Sequence, residues 1–461
     1  MVATPNDPSF REEQDSMGAV RVPAEAYYGS QTQRAVDNGM RSGLKPPLAW
    51  IHALALIKRC AAETNRQLGL LAPDLADAIL RAADEAAAGR FDDQFVVDLY
   101  QTGSGTSTNM NMNEVLASRA NEILTGRRGG RAPVHPNDHV NRGQSSNDVM
   151  PTALHLAAAR ALQSALLPAL ARLHQMLAHK ALTFESIRKI GRTHLQDAVP
   201  MTLGQAFSGF ARQIELAQKR LADALARLTE LALGGTAVGS GLNAHPQFAA
   251  MTIARLSAVT GIEFTEATNH FEAQAARDAA VETSGALKTV AVSLVKIAND
   301  IRWLGSGPRC GLGELKLPAL QPGSSIMPGK VNPVVPEAVV QTAYQVMGND
   351  TAITLAGQAG NFELNVTIPL IAHNLLQSIQ LLTEAARLLV EHCLQELEAD
   401  RDRCNYFIER SLALVTGLVP LIGYDRAAAL AKRAYEEDKT VRQVILEENI
   451  IPAEKIDALL G

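Results

Sequence analysis

Four polar stretches of this chain carry side chains that could grip a small anion and move protons on it. The densest is Gly323-Ser324-Ser325-Ile326-Met327-Pro328-Gly329-Lys330-Val331-Asn332-Pro333. Gly323 and Gly329 permit backbone angles and close approaches that a Cβ forbids, while Pro328 and Pro333 restrict the freedom left over. Such a loop can aim several backbone N–H groups, with Ser324, Lys330 and Asn332, at one carboxylate or phosphate. A plain Gly/Pro-rich turn between helices has the same composition, so this stretch alone decides nothing.

The second stretch is Thr102-Gly103-Ser104-Gly105-Thr106-Ser107-Thr108-Asn109-Met110-Asn111-Met112-Asn113-Glu114, leading into a helix to about Leu124. Ser, Thr and Asn cap helix N-termini, and first-turn N–H groups with hydroxyls nearby suit an anion. A dinucleotide fingerprint does not fit: the third glycine is missing and no strand run precedes it. The third stretch runs Val134-His135-Pro136-Asn137-Asp138-His139-Val140-Asn141, then Gln144-Ser145-Ser146-Asn147-Asp148. His135 and His139 stand at a helical zinc spacing, but Pro136 interrupts and no third ligand suggests itself. We assign no metal there; a polar substrate wall or a hydrogen-bonded turn cluster fits better. The fourth is Gly191-Arg192-Thr193-His194-Leu195-Gln196-Asp197. Taken alone, His194 is as readily a satisfied core histidine as a catalytic one.

Long helices must position these stretches. Helical patterning covers Leu48 to about Leu68 and Pro73 to Gly89. From Pro151 the longest helices begin, with Leu162, Leu166, Leu170, Leu173 and Leu177 at threes and fours and Pro168 as a kink rather than a stop. Further stripes run Phe207 to Leu228 and about Ala276 to Leu304, then about Pro336–Gly357 and Pro369–Leu397. Helices this long need a bundle to bury them. The chain therefore reads as mainly α, in three parts: a mixed N-terminal domain over 1–144, a central long-helix bundle over 145–397, and a small helical domain over 398–461.

Composition narrows the class. Of 461 residues, 47% are hydrophobic and only 4% aromatic, which favours packed helices over a β-sandwich. A net charge of −5 leaves no basic footprint for nucleic acid or an anionic membrane, so any cationic site must be local. Cys60, Cys310, Cys393 and Cys404 are scattered, as in a reduced cytosol. The segment 1–15 is polar and carries Glu12, Glu13 and Asp15, unlike a secretory or transit signal, and no uncharged apolar run reaches membrane-spanning length. A cytoplasmic protein is expected.

Together, Ser104–Glu114, Asn137–Asp148, Arg192–Gln196 and Gly323–Asn332 resemble the fumarase/aspartase superfamily, whose GSSxxMPxKxN signature Gly323–Asn332 matches throughout. Within it the chain resembles the class II, iron-independent fumarases over nearly its whole length. Gly191-Arg192-Thr193-His194 has histidine where aspartases typically have glutamine, and Asn243-Ala244-His245-Pro246 and Gly360–Asn365 are also fumarase-like. Pro333–Glu337 and Ala198–Met201 occur in aspartases too. The alternatives are an aspartate ammonia-lyase or related succinyl lyase, and a non-enzymatic structural relative.

The resemblance implies a three-domain fold and a homotetramer whose sites each draw on three subunits. It implies hydration of fumarate to malate without metal or other cofactor. Ser324 would abstract the carbon proton, His194 with Glu337 would handle the water proton, and Lys330 and Asn332 would stabilise the charged intermediate. Ser104, Gly105, Thr106, Ser145, Ser146, Asn147, Thr193, Ser325 and Val331 would complete the dicarboxylate cradle. A second anion site is implied at His135, Pro136, Asn137 and Asp138. The arginine usual three positions before His135 is Ala132 here, with Arg131 adjacent.

Overall fold

The computed structural model describes residues 9–452 and Ile456. The expectation about segment 1–15 therefore falls partly outside the described residues.

The chain is mainly α. Helices Leu48–Gln67, Pro73–Ala87 and Thr106–Thr125 lie where their periodicity placed them. Ser146–Ala161 runs through a wide turn at Leu162–Leu166 into Leu167–Thr183. Pro168 lacks an N–H, and the helix continues through it after the wide turn, so it is not a stop. By length and composition, the stretch Ser146–Thr183 could cross a membrane, but 56% of its apolar window is buried within the fold, as in a core helix. Leu203–Leu228, Asp278–Leu304, Val334–Gly357 and Ile368–Leu389 are the other long helices. In Asp278–Leu304, Leu287, Val290, Leu294, Ile297 and Ile301 are fully buried, one stripe at threes and fours.

The helices build two compact units. One comprises residues up to Pro168, Lys219–Ala291 and Tyr344–Leu382; the other comprises Ala169–Gln218, Val292–Ala343 and the residues from Thr383 onward. Every boundary between them falls inside a long helix. In the first unit, Leu48–Gln67 packs against Pro73–Ala87, Ser146–Ala161 and Phe248–Thr260. It buries Trp50, Ile51, Leu54 and Ile57 completely. The second unit ends in short helices around a core of Ile408, Leu414, Leu418, Leu430, Val444, Ile445 and Ile456.

Two antiparallel hairpins were not foreseen from the sequence. Phe10–Asp15 pairs with Gly18–Pro23, and Arg188–Thr193 pairs with Gln196–Thr202. Both are two-stranded. Charged and small residues dilute their alternating pattern, and the pairing comes from chain closure rather than propensity.

Candidate active site

In the first unit the expected cradle residues stand at two helix N-termini. Gly105 caps Thr106–Thr125 with φ +77, a left-handed conformation that glycine adopts freely. A Cβ there would press on Met150 and Trp50 at 3.1 and 3.2 Å. At Gly103 a Cβ would fall 1.6 Å from the Val366 carbonyl oxygen, so both glycines are steric necessities. Between them Ser104 is buried, and its hydroxyl lies 2.7 Å from that of Thr106. Ser145 opens the helix Ser146–Ala161 with a capping box: its Oγ accepts from the helix backbone while Asp148 Oδ1 accepts from Ser145 N at 2.9 Å. First-turn N–H groups beside hydroxyls are the kind of donor that can hold an anion.

Buried groups support this cradle from beneath. Asp148 is fully buried, and its Oδ2 accepts from Gly234 N and Thr236 N, each at 3.0 Å. Burial raises its carboxyl pKa, opposed by the N–H donors and then by Lys58. Asn147 Nδ2 donates to Ala237 O at 2.8 Å, tying the same helix start to the same loop. Lys58 is fully buried in the apolar helix below, and its ammonium donates to Asn141 Oδ1 at 2.8 Å. Burial drives its pKa down to about 7, with Asp148 pulling the other way. Asn109 Nδ2 reaches Ser146 Oγ at 3.0 Å and Asn141 Oδ1 at 3.3 Å. Sequence reasoning did not assign roles to Lys58, Asn109 or Asp148. The available signal was Lys58, which with Arg59 ends the apolar run Ala53–Ile57.

The second unit carries the proton-transfer candidates, His194 on an exposed turn and Ser324 half-buried in a loop. Thr193 pairs with Gln196, and the two residues between them, His194 and Leu195, have φ +57 and +60. Two consecutive left-handed residues make a type I′ hairpin turn, which favours Asn-Gly rather than His-Leu. Holding a non-glycine residue there costs on the order of 1–3 kcal/mol. His194 is exposed and Leu195 is 76% exposed, so burial of these side chains does not offset that cost. Arg192 behind the turn makes a two-pronged pair with Glu314, both N···O distances 2.9 Å.

The signature loop closes on itself. Gly323 N donates to Lys330 O at 2.7 Å, and Asn332 Nδ2 donates to Gly323 O at 2.7 Å. A Cβ on Gly323 would meet Lys330 O at 2.7 Å and Asn332 N at 2.8 Å. Ser324 Oγ accepts from Ile326 N at 3.2 Å and Met327 N at 3.0 Å. Ser325, Lys330 and Val331 are exposed. Glu337 lies in the first turn of Val334–Gly357. Among the described residues of this one chain, no ion pair joins it to His194.

At the expected second anion site, His135 Nδ1 accepts from Asn137 N at 3.2 Å and Asp138 N at 3.1 Å, capping the wide turn Pro136–Val140. Burial lowers its pKa, and nearby Arg131 adds to that. A nitrogen that accepts two N–H bonds is unprotonated. The 3.3 Å approach of Asp138 to it is therefore not a true ion pair. Arg131, Asn137 and Asp138 are exposed, and Pro136 is buried.

Residues 18–348 match the family described as Lyase, which makes the chain a lyase by class. Residues 414–461 match the family described as fumarase C C-terminus. The chain is 56% identical over 447 residues to the class II fumarate hydratase of Thermosynechococcus vestitus, covering 97% of this chain and 96% of that one. It is 55% identical to that of Nitrosomonas europaea, covering 97% of each. The fold matches the class II fumarase of Schistosoma mansoni with a TM-score of 0.95 at 42% identity, over 98% of both chains. It also matches a fumarate lyase:delta crystallin of Brucella melitensis at 0.94 and 46%, again over 98% of both. The chain belongs to the class II fumarate hydratases.

Proposed function

We propose that this hydro-lyase adds water reversibly and anti across fumarate, giving (S)-malate through a doubly charged aci-carboxylate. The malate C3 proton is very weakly acidic, so catalysis requires a base at that carbon and preorganised positive charge at the carboxylate beyond it. The observation that carries this reading is the pair of backbone N–H groups donating to Ser324 Oγ. Donors aimed at that oxygen favour its alkoxide, and the Lys330 ammonium on the same loop adds positive charge. Ser324 takes the carbon proton; His194, partnered by Glu337 in the assembled enzyme, handles the proton of water or hydroxyl. Lys330 and Asn332 stabilise the developing charge. Ser104, Gly105, Thr106, Ser145, Ser146, Asn147, Thr193, Ser325 and Val331 hold the carboxylates.

The enzyme works as a cytoplasmic homotetramer in the tricarboxylic acid cycle, each site drawing on three subunits. Exposed Val292, Trp303, Tyr344 and Leu355 on the long helices support association, being large apolar groups on elements that form bundles. The domains are 1–144, 145–397 and 398–461. The chemistry uses charge and donors from the protein, without metal or other cofactor. Arg131, His135, Pro136, Asn137 and Asp138 form a second dicarboxylate site, with Arg131 standing in for the arginine replaced by Ala132.

The test is to supply L-malate or L-aspartate and follow fumarate by ultraviolet absorbance, with ammonia assayed in parallel. Fumarate from malate alone, unchanged by EDTA, is expected. Ammonia from aspartate would make the chain an ammonia-lyase, and reversible loss with EDTA would end the metal-free mechanism.

A further inference from the structure

The turn that carries His194 has no intrinsic reason to keep its shape. Neither His194 nor Leu195 is a residue that favours the left-handed region, yet both occupy it. Among the described residues, neither side chain makes a hydrogen bond that would hold it there. The first firm anchor behind the turn is Arg192, opposite Asp197 and just past a register shift after Ile190. Its guanidinium forks onto both oxygens of Glu314, whose side chain is 0% exposed. Lys189, from the same strand, places its ammonium 3.7 Å from that carboxylate. Glu314 is itself fixed: its carbonyl accepts from Asp400 N at 2.9 Å, and the adjoining Leu315–Lys316 pairs with Glu398–Ala399. Arg192 and Arg403 both lie over the Phe407 ring, 5.4 and 4.5 Å from its centroid.

We infer that Glu314, through its two-pronged grip on Arg192, holds the His194-Leu195 turn in its left-handed form and so aims the His194 imidazole. Glu314 and Arg192 are positioning residues. This rests on the reading of His194 as the group that handles the water proton.

Arg192→Lys keeps the charge but loses the fork. We expect kcat to fall about 10- to 100-fold with KM for malate changed less than about threefold, and the melting temperature nearly unchanged. Adding Leu195→Gly makes the second turn position left-handed at no steric cost and should recover most of the lost kcat. A role confined to stability predicts the reverse: a lower melting temperature, normal kcat per folded molecule and no rescue. Normal kcat in Arg192→Lys, or a loss that Leu195→Gly does not recover, overturns the inference. His194→Asn, measured alongside, separates the two claims. If it is inactive while Arg192→Lys is normal, only the clamp fails; if it is nearly normal, the role of His194 fails and the clamp with it. Glu314→Gln is not the deciding variant, because it leaves Arg192 and Lys189 facing a neutral group and risks misfolding.

Discussion

The two units present their proposed site residues differently. In the first, the proposed cradle at Ser104–Thr106 and Ser145–Asn147 is backed by buried, hydrogen-bonded groups that descend to Lys58 and Asp148, both fully inaccessible. In the second, His194 stands on a strained exposed turn, and Lys330 on an exposed Gly/Pro loop. On the proposed function, the difference follows from what each part would do. Holding a carboxylate rewards donors already fixed in place, because nothing then has to reorganise when charge arrives. Proton transfer to carbon, as proposed here, needs groups that meet a substrate first admitted from water, which suits an exposed turn and loop.

This contrast can be broken or sharpened by substitution. The largest effect is expected for Ser324→Ala: turnover should drop at least about a thousandfold while malate still binds, measured by fumarate absorbance and by calorimetric titration. Near-normal turnover would remove Ser324 as the base. His194→Asn should depress kcat by about 10²–10⁴, again with little change in melting temperature.

Substitutions in the buried cradle should behave differently. Gly103→Ala drives a methyl group into the Val366 carbonyl and should lower the melting temperature by several degrees or abolish soluble expression. A variant as stable as the parent would show that the 102–106 backbone is not rigid. Asn109→Ala removes the donor to Ser146 Oγ and should raise KM about five- to tenfold with kcat nearly intact. A kcat loss of the same size would place Asn109 in the transition state instead.

The smallest effect concerns pH. Burial, then Arg277, lowers the His155 pKa to about 4 from 6.5. The unfolded chain binds this proton below 6.5, whereas the folded one does so only near 4. Stability is therefore complete above pH 6.5 and is lost as pH falls towards 4. At pH 5 the loss should be about 1 kcal/mol, allowing for partial exposure of the ring. Urea midpoints at pH 7 and pH 5 should draw apart in the parent and less so in His155→Gln.

Much of this protein was legible before any coordinates. The helices announced themselves through stripes such as Val290 to Leu304, buried from Val290 to Ile301, and the glycines at 103, 105 and 323 sit at close backbone approaches. These signals are local: propensity, capping and periodicity act over a few residues, so the order of side chains already contains them. The polar clusters, too, were visible as composition. What only the tertiary structure decided is which distant groups meet. Lys58 finds Asn141 across 83 positions, and Arg192 finds Glu314 across 122. Neither hairpin was visible either, since each two-stranded ribbon depends on closure and on what packs behind it. Neither Lys58 beside Arg59 nor Glu314 in its glycine-rich connection names its partner in sequence. Their partners are chosen by the path of the chain, and burial then makes each pairing obligatory, because an unpaired charge in the interior is far costlier than a paired one.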